Sequence, residues 1–192
     1  MSAASNDHNP AYLCSPGAHA GSGTPDAPLV RVGHGYDLHR LEPVAPQGDG
    51  RPFVLGGVRI DHNRGPIGHS DGDALLHAIT DAILGSIGEP DIGQLFPDTD
   101  PAHEGADSRV FLDEARRRLA AAGYCIGNLD ATVICQKPKL SPHKDEIRAH
   151  IAGLLGMGVS RVNVKAKTHE GVDAVGEQRA IEVHCVVLVQ RV

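Results

Sequence analysis

Residues 70 to 85 read Ser70-Asp71-Gly72-Asp73-Ala74-Leu75-Leu76-His77-Ala78-Ile79-Thr80-Asp81-Ala82-Ile83-Leu84-Gly85. Ala74, Leu75, Ala78, Ile79, Ala82 and Ile83 recur at i, i+3, i+4 spacing, the signature of a helix with one apolar face. Ser70 stands where an N-cap is expected, with Asp73 three residues on, and Gly85 to Gly88 mark the end. Upstream the period is two. Leu29-Val30-Arg31-Val32 opens an alternation that runs to Leu41, and Phe53-Val54-Leu55 to Ile60 reads as the next strand, joined to the first by a Pro/Gly-rich loose hairpin. Downstream, Val110, Leu112, Ala115 and Leu119 mark a second helix over 107–122, its basic run Arg116-Arg117-Arg118 a solvated end before Gly123. Leu129, Ala131, Val133 and Cys135 alternate in a third strand. Ser141-Pro142 opens a helix through Ile147, Ile151, Leu154 and Leu155, with Pro at its first position. Val162 to Lys167 and Ile181 to Val189 close the chain as strands. The order β-β-α-α-β-α-β-β predicts an α+β fold, a mixed sheet with its helices on one face.

The 192 residues carry 24 acidic and 18 basic side chains, a net charge of −6, and 41% are hydrophobic with only three Phe and three Tyr. This length fits one domain, and its core must be aliphatic. We read 29–192 as that domain and 1–28, rich in Ala, Ser, Gly and Pro, as a disordered tail. The negative balance excludes a general electrostatic grip on nucleic acid or an anionic membrane. No apolar run approaches the roughly 20 residues of a membrane span, and no basic, apolar leader precedes Arg31. Cys14, Cys125, Cys135 and Cys185 lack C-x-x-C spacing, so a zinc ribbon or redox motif is not expected and a reduced, cytoplasmic setting is.

Five segments carry residues fit for chemistry. In Asp37-Leu38-His39 the carboxylate and imidazole are two apart on a strand and point to one side, where they can share a divalent ion, although such a triplet is by itself a common polar strand end. In Gly68-His69-Ser70-Asp71-Gly72-Asp73 a glycine-flanked loop enters a helix whose first N–H groups can meet an anion, with His77 two turns in. Asp73 and His77 share a face at i, i+4, as a ligand and its orienting group do, or as a capped start with a satisfied histidine does. Residues 91–101 form a turn-rich loop with three acids. Lys137 to His143 and Lys165 to Gly171 are the kinds of loop that hold phosphate or Mg²⁺, and are also ordinary surface loops.

Together, in this order, these segments resemble the 2-C-methyl-D-erythritol 2,4-cyclodiphosphate synthase family. The matching residues are G-H-G-Y-D-L-H at 33–39, G-H-S-D-G-D-x-x-x-H at 68–77, D-I-G-x-L-F-P-D-T-D at 91–100, K-P-K at 137–139 and V-N-V-K-A-x-T-x-E at 162–170. The resemblance spans about residues 30 to 191. It implies conversion of 4-diphosphocytidyl-2-C-methyl-D-erythritol 2-phosphate to the cyclic diphosphate and CMP, the substrate's own 2-phosphate attacking its β-phosphorus. No activated serine or cysteine is then required, since positioning and charge stabilisation suffice.

By the same resemblance Asp37, His39 and His77 are ligands of a divalent ion, usually zinc, with a fourth position open, and Glu170 is a ligand of Mg²⁺ or Mn²⁺. His69 and Thr168 are the donors that stabilise the transition state, with Ser70 at the same helix entrance. Asp91, Gly93, Phe96, Asp98 and Asp100 hold the methylerythritol hydroxyls. Lys139, Leu140 and Ser141, within a 135–141 cytidine pocket, hold the nucleotide, and Lys167 with Thr168 and Glu170 closes the diphosphate end. The resemblance also implies a homotrimer around a central cavity, its sites between subunits, with no nucleic-acid or membrane partner. After Glu170 the family usually continues G-L-G-F-T-G-R-G-E-G. Here Ala174 replaces the aromatic residue and Glu177 the arginine, which weakens the case for anion binding in that cavity unless Arg179 substitutes. Two alternatives stay open at this stage: a zinc-retaining, non-catalytic trimeric metabolite-binding relative, and a metal-dependent phosphohydrolase in which water attacks.

Overall fold

In the computed structural model of the chain, residues 28–68, 70–97 and 105–192 are described. The first strand, β1, is long, Val30–Pro43, and is followed by two-residue strands β2 (Val54–Leu55) and β3 (Val58–Arg59) and by β4 (Arg64–Pro66). Helix α1 covers Ala74–Ile87, α2 is a single turn at Ile92–Leu95, and α3 covers Arg109–Ala121. Then come β5 (Tyr124–Ile134), α4 (Lys144–Leu155), β6 (Val162–Lys167), the turn-length α5 (Asp173–Gly176) and β7 (Ala180–Arg191). The five-stranded sheet has the order β4-β1-β7-β5-β6. β7 lies antiparallel to both β1 and β5, while β5 and β6 are parallel, so the sheet is mixed and the fold is α+β as expected. No described helix is long and apolar enough to cross a membrane.

The strands pair so that whole rows of side chains face one way. Asp37 is opposite Val183, which is opposite Val133, which is opposite Ala166. Two residues away the row is Gly35, Cys185, Ala131 and Val164. These rows are buried with α1 residues Leu75, Ile79 and Ile83, α3 residues Leu112 and Leu119, and α4 residues Ile147 and Ile151 in one core. All three long helices therefore share one face of the sheet, because the inward rows are almost wholly aliphatic. The other face has no covering layer among the described residues, and Val30, Val32, Tyr36, Leu38 and Val186 stand exposed on it.

Helix α1 lies unusually close to β1. A Cβ placed on Gly35 would sit 1.9 Å from the Ala78 carbonyl oxygen, and one on Gly33 would sit 1.8 Å from that of Ala82. The two glycines and the alanines opposite them set the depth at which α1 rests, hence how far His77 reaches toward Asp37 and His39.

Three expectations change. Residues 53–60 are not one strand paired with β1. Gly56 and Gly57, at φ 60° and 76°, turn them back on themselves into the β2–β3 hairpin, the two-positive-φ turn that matches strand twist. The partners of β1 are β7 and, through Leu41 to Pro43, β4. Helix α1 begins at Ala74 with Asp73, not Ser70, as N-cap, and α4 begins at Lys144 after a turn that contains Pro142. Of the expected tail, only Pro28 belongs to the described residues.

Gly35→Ala is expected to destabilise the fold by about 3 kcal/mol or more, since the added methyl meets backbone that cannot rotate away. Thermal unfolding of the variant checks this, and an unchanged midpoint would contradict the close approach.

Candidate active site

The site starts from a helix cap. The Asp73 carboxylate is wholly buried and accepts four backbone N–H groups: Leu75 and Leu76 of α1 at 3.1 and 3.0 Å, and Gly56 and Gly57 of the β2–β3 turn at 2.9 and 2.6 Å. Burial holds its pKa above the usual carboxylate value, and the Gly57, Leu76 and Gly56 donors offset only part of that rise. The cap fixes where α1 begins, and His77 follows as the fourth helical residue, its own N–H donating to the Asp73 carbonyl oxygen at 3.0 Å. Sequence spacing left Asp73 either as the group that orients the His77 ring or as part of a capped helix start. The structure takes the second, because the carboxylate is committed to the N–H groups of α1 and of the hairpin turn, and the histidine is one turn in rather than two because the helix starts later.

The ring is oriented from elsewhere. His77 Nε2 lies 2.9 Å from Ser108 Oγ and 3.3 Å from Ser70 Oγ. The Ser108 hydroxyl donates to Asp71, and its backbone N–H also bonds Asp71, at 3.1 Å. Since that hydroxyl proton goes to the carboxylate, Ser108 can only accept from His77, which places the imidazole proton on Nε2 and leaves the Nδ1 lone pair pointing at β1. Ser108 occupies the N-cap position of α3 yet makes no side-chain capping bond, its hydroxyl being used here instead.

On β1, Asp37 and His39 project toward the same point. Asp37 Oδ2 is 3.2 Å from His39 Nε2 and 3.2 Å from His77 Nδ1, and the two nitrogens are 3.1 Å apart. Burial lowers the pKa of His39, Asp37 opposes this, and His77 reinforces it. For His77 burial acts in the same direction, but the hydrogen bond and charge of Asp37, backed by Asp73 and Asp71, carry the pKa above the usual imidazole value. Three donor atoms on a near-equilateral triangle of this size fit one small cation. Bonds of about 2.0–2.1 Å in tetrahedral geometry put ligand atoms roughly 3.3 Å apart, and imidazole with carboxylate is a zinc-type donor set. These are also the described residues whose ligand atoms cluster as a metal site would require.

The triangle opens into a cleft of about 350 Å³ lined by Ile67, Gly68, Ser70, Gly72, Ile92, Gly93, Phe96 and Phe111 as well as the three donors. Phe96 packs on Phe111 at 4.7 Å between centroids, and Phe111 on His77 at 5.9 Å, giving the cleft an apolar wall. Asp81 of α1 accepts the Ile92 N–H at 2.8 Å, which ties that wall to the helix carrying His77.

A second group of expected residues sits at the far side of the sheet. The loop after β5 and the loop after β6 are joined where the Cys135 N–H donates to the Lys167 carbonyl at 2.9 Å. Lys139, Ser141, Lys167, Thr168 and Glu170 are exposed there. Thr168 Oγ1 donates to Glu170 Oε1 at 2.9 Å, and Glu170 adopts φ 52°, a left-handed conformation that a non-glycine residue rarely takes. β6 is three strands from β1, about 14 Å at the usual strand spacing, and none of these residues lines the cleft.

A family model, the YgbB family, matches residues 30–190. The chain belongs to the YgbB family. A chloroplastic 2-C-methyl-D-erythritol 2,4-cyclodiphosphate synthase from Oryza sativa subsp. japonica is 54% identical over 185 residues, 96% of this chain and 78% of that protein. The synthase of Ralstonia pickettii is 55% identical over 162 residues, covering 84% of this chain and 93% of that one. Among solved structures, a 2C-methyl-D-erythritol-2,4-cyclodiphosphate synthase in a CDP-bound form is similar with a TM-score of 0.75 at 39% identity, covering 83% of this chain and 100% of the other. IspF of Plasmodium falciparum, solved as a CDP complex, gives 0.73 at 38% identity, covering 84% and 96%.

In this YgbB-family chain the structure thus gathers Asp37, His39, His77, Ser70, Gly93 and Phe96 around one cleft. Asp91 stands at its edge as the N-cap of α2, accepting the Gln94 N–H at 2.9 Å. Leu140 is buried as part of the core and does not stand exposed with its neighbours Lys139 and Ser141. His69, Asp98 and Asp100 lie outside the described residues. Glu177 and Arg179 are paired with each other at 2.6 Å, so the arginine's charge is already engaged by the residue it would have to replace. Sequence reading missed Ser108 and the orienting role of Asp71. A serine 31 residues after His77 carries no local signal, and only the packing of α3 on α1 brings it to the ring.

Ser108→Ala is expected to leave the fold intact and weaken zinc binding by about 10- to 100-fold, because His77 loses the acceptor that fixes its tautomer. Titration of the metal-free protein with Zn²⁺ checks this. Zinc retention is also expected to fall with falling pH, and to do so from above the ordinary imidazole range, since the raised pKa of His77 lets a proton compete with the metal sooner. Metal content after dialysis across pH 5 to 8 measures it.

Proposed function

We propose that the chain converts 4-diphosphocytidyl-2-C-methyl-D-erythritol 2-phosphate to 2-C-methyl-D-erythritol 2,4-cyclodiphosphate and CMP, a phosphorus–oxygen lyase reaction carried by residues 29–192. The observation that carries the reading is the Asp37–His39–His77 triangle at the rim of the cleft, in a chain whose relatives bear the synthase name. A bound divalent ion, zinc by the donor set, supplies Lewis acidity toward a β-phosphate oxygen. In the reaction the 2-phosphate oxygen bonds to the β-phosphorus while the bond from that phosphorus to the bridging oxygen breaks, and CMP leaves with the electron pair. Both phosphates begin as anions, so no protein base is needed. The chain's work is to hold them in line and to donate to the charge that develops.

His69, Ser70 and Thr168 are assigned as those donors, and Glu170 as the carboxylate that holds Mg²⁺ or Mn²⁺ with the diphosphate. The Asp91–Gly93 turn, Phe96, Asp98 and Asp100 are assigned to the methylerythritol, and the 135–141 loop with Lys139 to the cytidine. Lys167 completes the diphosphate end. We assign the cleft and the Lys139–Glu170 cluster to one composite site formed between adjacent copies of a homotrimer. Two features support this. The two halves lie about 14 Å apart across the sheet of one chain, and the uncovered sheet face exposes Val30, Val32, Tyr36, Leu38 and Val186, which a partner's surface would bury. The Glu177–Arg179 pair leaves little positive charge there for an anion in the central cavity.

Phosphorus NMR of the purified protein with the substrate and Mg²⁺ is expected to show cyclic diphosphate with CMP, and a linear phosphate would instead favour hydrolysis by water. His77→Ala is expected to abolish zinc retention and turnover together. Thr168→Ala should lose turnover while keeping zinc. Mixed oligomers of these two inactive variants should regain part of the activity, since some interfaces then pair an intact triangle with an intact Thr168, and no recovery would place the whole site in one chain.

A further inference from the structure

We propose that His34 and His184 form a second divalent-cation site, on the uncovered face of the sheet, with Glu182 as the residue that orients His184. β1 alternates strictly, so Asp37 and His39 face the helices while His34 and Tyr36 face away from them. On β7 the buried residues Ile181, Val183 and Cys185 alternate with Glu182 and His184, which are on the same outer face as His34. The register places Tyr36 opposite His184 and Leu38 opposite Glu182, making His34 the diagonal neighbour of His184.

The geometry is that of a chelating pair with its orienting carboxylate. His34 Nε2 is 3.3 Å from His184 Nδ1, while the other nitrogen of His184 is 2.9 Å from Glu182 Oε1. Glu182 accepts the Nε2 proton of His184 and so leaves the Nδ1 lone pair facing His34, as a carboxylate behind a metal-bound histidine does. Tyr36 packs on the His184 ring at 5.0 Å between centroids and limits its rotation. The 3.3 Å between nitrogens matches the separation of adjacent ligands around a tetrahedral ion with bonds of about 2.0–2.1 Å. It is also close to the 3.1 Å between the imidazole nitrogens of the catalytic triangle. The sequence repeats the same device: Glu182-Val183-His184 is a carboxylate and an imidazole two apart on a strand, as is Asp37-Leu38-His39, but with the pair on the opposite side of the sheet.

Two imidazoles select Zn²⁺, Ni²⁺ or Cu²⁺ over Mg²⁺ or Ca²⁺. With two protein ligands per chain the remaining positions belong to water or to the same pairs on the other copies, since this is the face assigned above to the homotrimer contact. The site is separate from the proposed catalytic cleft, which neither histidine lines.

The test uses the full chain stripped of metal and titrated with Zn²⁺, with bound zinc counted after dialysis. The wild type is expected to show a second class of site, weaker than the first. His184→Ala and the more exposed His34→Ala should each lose that class and keep the first, whereas His77→Ala should lose the first and keep the second. Glu182→Gln should weaken the second class about 10-fold. In a Cu²⁺ titration, the nitrogen hyperfine pattern of the second class should report two imidazoles in wild type and disappear in His34→Ala. A wild type with a single class of site, or a second class that survives both His34→Ala and His184→Ala, would overturn the proposal.

Discussion

Everything near the cleft depends on one buried carboxylate. Asp73 accepts four backbone N–H groups, two from the first turn of α1 and two from the Gly56-Gly57 turn, and so fastens a hairpin and a helix to one point. His150 of α4 adds a contact at 2.8 Å to the Gly56 carbonyl, linking a third element to the same turn. Without the carboxylate four donors would be left in a water-poor interior, each at a cost of about 1–3 kcal/mol. The burial that raises the Asp73 pKa is therefore offset in part by the donors the fold supplies. Because the cap sets the first residue of α1, it also sets the angle at which His77 leaves the helix.

The second constraint is the depth of α1 on the sheet. Gly33 and Gly35 let the helix backbone rest almost directly on β1, and just beyond them the same strand presents Asp37 and His39 to that helix. Alternation along β1 then divides the protein into two chemistries. The inner face carries the Asp37–His39–His77 triangle, whose ligand atoms cluster as a metal site would require, and the outer face carries exposed aliphatic residues with His34 and Tyr36 among them. A single-residue slip of β1 would exchange the two faces, and its long register with β7 prevents this.

The site is legible in part from local pattern. Asp37 and His39 are two apart on a strand, and His77 is on a helix that a period of 3.6 announces, so the donor types and their secondary structure follow from the chain alone. That the three meet within 3.2 Å does not follow from spacing, because His39 and His77 are 38 positions apart with a hairpin between them. The Asp71–Ser108–His77 relay is less visible still, since its serine comes from a helix packed on α1 rather than from any motif. The i, i+4 relation of Asp73 and His77 left an orienting role and a capped helix start both open, and the side chain took the second, meeting the stronger demand of unpaired backbone N–H groups.

The sequence by itself determined the strand and helix periods, the aliphatic one-sided core, the donor residues and the order of motifs that marks the family, because these are properties of neighbouring residues and of composition. Tertiary structure decided the folding of 53–60 into its own hairpin, the pairing of β1 with β7, and the removal of the Ser70 hydroxyl from the cap to the His77 ring. It also decided the convergence of two histidines and a carboxylate and the separation of Thr168 and Glu170 from them. These depend on which surfaces meet across long stretches of chain, where packing and unsatisfied backbone groups compete and local propensity has no vote.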